Sequence, residues 1–316
     1  MVAKPLVRAL ASWRLGIVLV LLASACNRAA ERLPALPVFT YQNEASIARF
    51  HEADALAHDD ATAENVGRLG MLYFAYQFHD QGRACFALAR ELAPKDYRWT
   101  YYGAKLEKLV FEYESAEALF LKAEELRPDD AELQAELGEL YLKWARREDA
   151  HARLERALEL DPLQPVAALG KARLLSLSQD WDGVLALMTP LLDRYPRLSK
   201  AHQFAAAAHG AFGNAELQAF HEEEGEYGYA VESELMNELN QLAVPAIVAG
   251  DPALGPELLQ VKCARCHTHE RIYDHDRDRD WWAGTVRRMQ REAGWQWLTD
   301  DEAASVVAYL SGRELD

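Results

Sequence analysis

Pro94, Pro128, Pro162 and Pro196 stand 34 residues apart, and this spacing constrains the chain more than any other feature. A unit of that length cannot cover its own apolar surface, so successive copies must stack along an axis. Other positions keep the same beat. Eight before each proline stand Phe86, Phe120, Leu154 and Met188, and five before stand Ala89, Ala123, Ala157 and Leu191. Twenty-four before come Gly70, Ala104, Gly138 and Ala172, small residues that let two helices approach closely. Tyr73 and Tyr141 occupy a further shared position. Apolar residues at three- and four-residue spacing give two amphipathic helices of roughly 12 to 14 residues per unit, and the proline cannot continue the second helix. The expected class is all-α.

The segment "ELGELYLKWARREDAHARLERALELDP" carries the pattern most fully. It resembles the tetratricopeptide repeat family, over four clear repeats from about residue 63 to 198 and a degenerate fifth through "HQFAAAAHGAFGNAELQAFHEEE". Gly213 and Asn214 mark the turn inside that fifth repeat. With capping helices at either end, residues 45–250 read as an α-solenoid. The resemblance implies a groove that docks a protein partner, although fold does not fix function. The aromatic cluster "YRWTYYG" from Tyr97 either lines that groove or fills the junction between repeats.

The N-terminus reads as an export signal. Lys4, Arg8 and Arg14 precede the apolar run "LGIVLVLLASAC", which is shorter than the roughly 20 residues a spanning helix needs. "LASAC" resembles a bacterial lipobox, which implies cleavage of residues 1–25, lipid on Cys26 and a tether over 26–44. Cleavage after Ala25 without lipid, or an uncleaved anchor, are the other readings. Asn27 leans towards the outer rather than the inner membrane. The expected place is therefore the periplasmic face of a Gram-negative membrane. Formal charge is −16 and becomes −19 once the three basic residues of the leader are gone. That balance excludes an electrostatic footprint for nucleic acid.

Residues 251–316 form a separate unit, opened by "VAGDPALGP". In "ELLQVKCARCHTH", Cys263 and Cys266 project from one side of a helical turn, where they can form thioethers to one haem, and His267 can reach its iron. The unit resembles the short, single-haem class I c-type cytochromes. Gly255 and Leu259 before the motif, and Tyr309 and Leu310 in "SVVAYLSG" after it, match the two helices that cross in that family. Arg271, Trp282, Val286 and Met289 match too. The resemblance implies one covalent haem c, with His267 and Met289 as iron ligands and Arg271 and Trp282 as possible packing or propionate contacts. Met289 stands 22 residues after His267, a short connection with the charged run "DHDRDRD". Trp281, Trp295 and Trp297 are further candidates for the haem edge.

Other chemistries use the same residues. Cys263, Cys266, His269 and His275 are a Cys2His2 set of unusual compactness for zinc. A thioredoxin-like pair needs a strand before the motif, and "GPELLQV" reads as helix. His269 or His275 in place of Met289 would lower the reduction potential, and an open sixth position would allow peroxidase or gas-sensing chemistry. Cys85, between apolar neighbours, reads as a buried free thiol. The expectation is a lipid-anchored electron carrier and not an enzyme, with a redox protein or membrane complex docked on the solenoid. The alternative is a scaffold or assembly lipoprotein whose haem unit senses redox state or adds stability.

Overall fold

The computed structural model describes residues 28–226, 238, 239, 242, 250–265, 272, 273, 277–294 and 296–312. All regular structure among them is helical. Helix α1 (Glu44–Asp59) is followed by five antiparallel hairpins: α2 (Ala63–Ala75) with α3 (His79–Leu92), α4 (Tyr97–Leu109) with α5 (Tyr113–Leu126), α6 (Ala131–Lys143) with α7 (Arg147–Leu160), α8 (Pro165–Leu177) with α9 (Trp181–Arg194), and α10 (Ser199–Ala211) with α11 (Ala215–Glu226). Three further helices belong to the C-terminal region: α12 (Gly255–Val261), α13 (Arg279–Ala293) and α14 (Asp300–Ser311). The hairpins stack as a tetratricopeptide-type solenoid.

The 34-residue beat sets the caps as well as the core. Thr62, Asp96, Asp130 and Gln164 each stand just ahead of a hairpin's first helix, and each side chain accepts from a backbone N–H of the first turn. Such a cap is worth about 1 kcal/mol. The fifth hairpin has Leu198 at this place and no side-chain cap. Inside the hairpins Phe86, Phe120, Leu154 and Met188 are fully buried. At Gly138 an added Cβ would sit 2.6 Å from Leu154, so the small-residue position is fixed by the close approach of α6 and α7.

A second periodic feature has no counterpart in the sequence reading except at Gly213. Gln77, Phe111, Ala145 and Gln179 take φ of 63°, 66°, 60° and 60°, and Gly213 takes 73°. Each closes the turn within its hairpin, and the left-handed conformation costs a residue with a Cβ about 1–2 kcal/mol. Replacing exposed Ala145 with Gly removes that strain against a smaller entropic penalty. The expected outcome is a gain of about 0.5–1 kcal/mol, read from the midpoint of urea unfolding.

The segment before α1 is laid on the first hairpin. Ala29 is buried, and Leu33, Leu36 and Phe39 pack against the cluster formed by Phe50, Tyr73 and Phe86. Arg32 forms a two-pronged pair with Glu91 on α3, at 2.6 and 2.8 Å. Cys85 lies at the centre of the same cluster, where burial pushes its thiol far above the ordinary cysteine range. That environment makes it inert, as the sequence reading expects.

Candidate functional site

The C-terminal helices form a small unit with its own core of Leu259, Trp282, Val286, Leu298, Val306, Val307 and Leu310. Asp251 caps the 3-10 turn Pro252–Leu254 that leads into α12, and α12 ends in a second such turn at Cys263–Arg265. Asp278 caps α13 by accepting from Trp281 N–H at 2.8 Å. Thr299 and Glu302 form a reciprocal capping box on α14. Helices α12 and α14 cross at Gly255. A Cβ there would lie 2.2 Å from Tyr309 Cβ, so only glycine lets the two helices touch.

The unit places the sequence candidates unequally. Cys263 sits half-buried at the end of α12, beside the core cluster. Trp282 is buried, and Met289 is half-buried seven residues further along α13. By helical spacing Trp282, Val286 and Met289 share one stripe. Trp281 is exposed and meets Trp282 edge to face, while Trp297 packs against the core. Cys26, Cys266, His267, His269, Arg271, His275 and Trp295 lie outside the described residues.

Three described residues, Cys263, Trp282 and Met289, are of the types a haem site uses. Trp282 carries a buried indole Nε1 with no hydrogen-bond partner among the described residues, which is rare for a buried tryptophan. A donor of this kind beside an apolar cluster suits a carboxylate-bearing group held against it. Cys263 and Met289 bring a thiol and a thioether to the margin of the same small unit, and thioether sulfur is a soft ligand suited to haem iron.

A group of residues that the sequence reading missed joins this unit to the solenoid. Arg287 donates to Asp300 Oδ1 at 2.7 Å and to Gln290 Oε1 at 2.5 Å. Gln290 donates to the same Asp300 oxygen at 3.0 Å and to the Leu298 carbonyl. Asp300 Oδ2 accepts from Ser46 Oγ at 2.5 Å and from Asn43 N–H, both next to or within α1. Ser46 also meets the Tyr76 hydroxyl, and the Arg287 guanidinium lies over the Tyr76 ring at 5.2 Å. Arg287 and Asp300 are 2% and 0% exposed, so the ion pair is taken out of water at the seam. Nothing in "VRRMQ" or "TDDE" distinguishes these residues from solvated surface charge.

Leu239 and Leu242 also pack on the first hairpins. Leu239 is buried in the cluster that holds Trp99 and Tyr102, and Leu242 packs beside it. Tyr102 donates to Glu238 at 3.2 Å, and Arg49 donates to the Leu242 carbonyl. The aromatic cluster itself is interior: Tyr97, Trp99, Tyr101 and Tyr102 are all buried, with Tyr102 stacked on Phe86. These rings fill repeat junctions and do not line a groove. Further along, Lys105 and Lys108 of α4 meet Glu136 of α6 at 2.7 and 2.5 Å, and Lys108 also reaches Glu139.

The fold defines the chain as a tetratricopeptide-type solenoid with a small helical unit docked at its first hairpin. No protein-family model matches it and no curated protein matches it. Among solved structures, it is similar to Pseudomonas aeruginosa PilF at 17% identity, over 56% of this chain and 89% of that one, with a TM-score of 0.48. PilW, described as a widely conserved type IV pilus biogenesis factor, matches at 16% identity over 75% and 96%, with a TM-score of 0.47. YrrB, described as a tetratricopeptide protein with an unusual peptide-binding site, matches at 19% identity over 56% and 90%, with a TM-score of 0.43.

Proposed function

We propose that this protein is a lipid-anchored interaction scaffold that carries a c-type haem unit at a fixed place and passes single electrons through it to or from a protein docked on the solenoid. The haem half is supported by the CxxCH motif of the sequence, whose first cysteine, Cys263, follows α12, a helix that crosses α14 through glycine-on-tyrosine contact. Cys263 and Cys266 would hold the group covalently, and His267 and Met289 would supply ligands to its iron. Bound so, a haem supplies one-electron chemistry at a raised potential and leaves no open position for substrate. The chain's own contribution is to fix the site. Trp282 and Val286 present an apolar wall, and the Arg287–Asp300 pair anchors α13 and α14 to α1. The scaffold half rests on stacked hairpins with an acidic surface, which suits a partner with a basic face.

The mature protein from a host that matures c-type cytochromes is expected to carry a covalent haem mass and a low-spin, sulfur-ligated spectrum. A colourless protein without that mass would sink the haem assignment. Met289→Ala is expected to abolish the sulfur-ligated spectrum. Its potential should fall by a sizeable part of the roughly 0.8 V that axial ligands span. A second reading is favoured by the buried seam between the unit and α1: the haem unit serves as a structural or redox-sensing part of a scaffold. If Met289→Ala leaves electron flow intact while deleting the solenoid abolishes complex assembly, this second reading replaces the first. A high-spin ferric resting protein would instead point to peroxidase chemistry.

A further inference from the structure

The fifth hairpin holds three histidines that the proposed function does not use. His202 and His209 lie on α10 and His221 on α11. The other repeats place Ala168, Gln134, Thr100 and Val66 on the beat of His202, and Leu187, Arg153, Leu119 and Cys85 on that of His221, so the cluster belongs to this hairpin alone. His202 is 4% exposed, and its Nε2 lies 3.0 Å from the Pro196 carbonyl oxygen. A carbonyl only accepts, so Nε2 carries the proton and Nδ1 of the neutral ring keeps its lone pair. That lone pair accepts from His221 Nδ1–H at 2.9 Å. The His209 ring stacks on His221 at 5.3 Å and 5°.

We infer that His202 and His221 form a two-histidine site for a divalent cation of the imidazole-preferring class, with copper(II) the preferred ion. Two bonds of about 2.0–2.1 Å meeting at a right angle have their far ends about 2.9 Å apart, which is the chord of square-planar or tetragonal coordination. A carbonyl that fixes one imidazole tautomer is the usual outer partner of a metal-bound histidine, and its loss typically weakens binding tenfold or more. Pro196 supplies it here. When the cation enters, His221 carries its proton on Nε2 instead of Nδ1, so no proton is released. Among the described residues no group of three or more His, Cys, Asp or Glu side chains is arranged to hold a metal ion. His209 is therefore a stacking neighbour that holds the His221 ring, and solvent completes the coordination. The same helix pair bounds an open cleft of about 410 Å³ lined by Gln203, Ala206, Gln218 and Glu222.

The test titrates the full mature protein with copper(II) and reads affinity by calorimetry and ligand type by electron paramagnetic resonance. His221→Gln, at a half-buried position, is expected to weaken binding at least about tenfold. His151→Gln, an exposed histidine on α7, is expected to change nothing. The wild-type copper spectrum should show hyperfine coupling to two imidazole nitrogens, a readout that needs no variant to fold. Equal affinity in folded wild type and His221→Gln overturns the inference, as does a spectrum without paired imidazole coupling. In either case His202 and His221 are only a hydrogen-bonded pair closing the last hairpin.

Discussion

Replacing Arg287 with Met is expected to weaken the hold of the C-terminal unit on the solenoid by about 3–5 kcal/mol, because Asp300 is then left as an uncompensated buried charge. Asp300 is fully enclosed and accepts from Arg287, Gln290, Asn43 and Ser46. Water cannot replace the lost cation without opening the seam. Native-state hydrogen exchange reads the effect directly. Amides of α13 and α14 should exchange early, while those of α6 and α7 keep their protection, since distant repeats unfold as separate units. Replacing Asp300 with Leu in the same protein should recover much of the loss, as exchanging a whole buried pair for apolar residues is often neutral or better. Unchanged exchange in α13 and α14 would show that the ion pair does not hold the unit.

The second large effect is expected in mid-solenoid. Glu136 is buried and pairs with both Lys105 and Lys108. Burial alone raises its carboxyl, but the two ammonium groups outweigh that and hold it down to about 2. Glu136→Gln leaves Lys105 without its carboxylate and the buried Lys108 with Glu139 alone, and a loss of about 1–3 kcal/mol follows. The sign with pH is set by the depression. The carboxylate is worth most above its unfolded value of about 4.3, and the contribution disappears as pH falls from there through about 2. Wild type should therefore lose stability across that acid window, and the Glu136→Gln protein should lose less there. Thermal melts between pH 5 and pH 2 supply the measurement; parallel curves would remove Glu136 from the acid response.

The hairpins were legible because one unit repeats in sequence. Pro94 to Pro196 mark the breaks, and buried Phe86, Phe120, Leu154 and Met188 mark the inward face. The left-handed turns at Gln77, Phe111, Ala145 and Gln179 were not legible, because stacking forces there a conformation those residues do not favour. The same limit applies to the seam. Ser46 and Asp300 are 254 positions apart, and no local period relates them. Arg287 and Gln290 are buried by a partner surface that lies far away in sequence, so their polar character reads as exposure. In the C-terminal unit the Gly255–Tyr309 crossing was legible through a family pattern, whereas the orphaned indole of Trp282 is a property of packing alone. The aromatic run from Tyr97 is the opposite case, since composition suggested a binding surface and stacking made it interior.

Ala29, Leu33, Leu36 and Phe39 lie folded against the first hairpin, and Arg32 grips Glu91. The segment ahead of α1 therefore has almost no slack. Ala29 stands three positions after Cys26, a reach of at most about 10 Å. If Cys26 carries lipid as proposed, the body does not drift on a long leash. It would ride on the bilayer with the first hairpin lowermost, and the fold would set the standoff of the C-terminal unit from the headgroups.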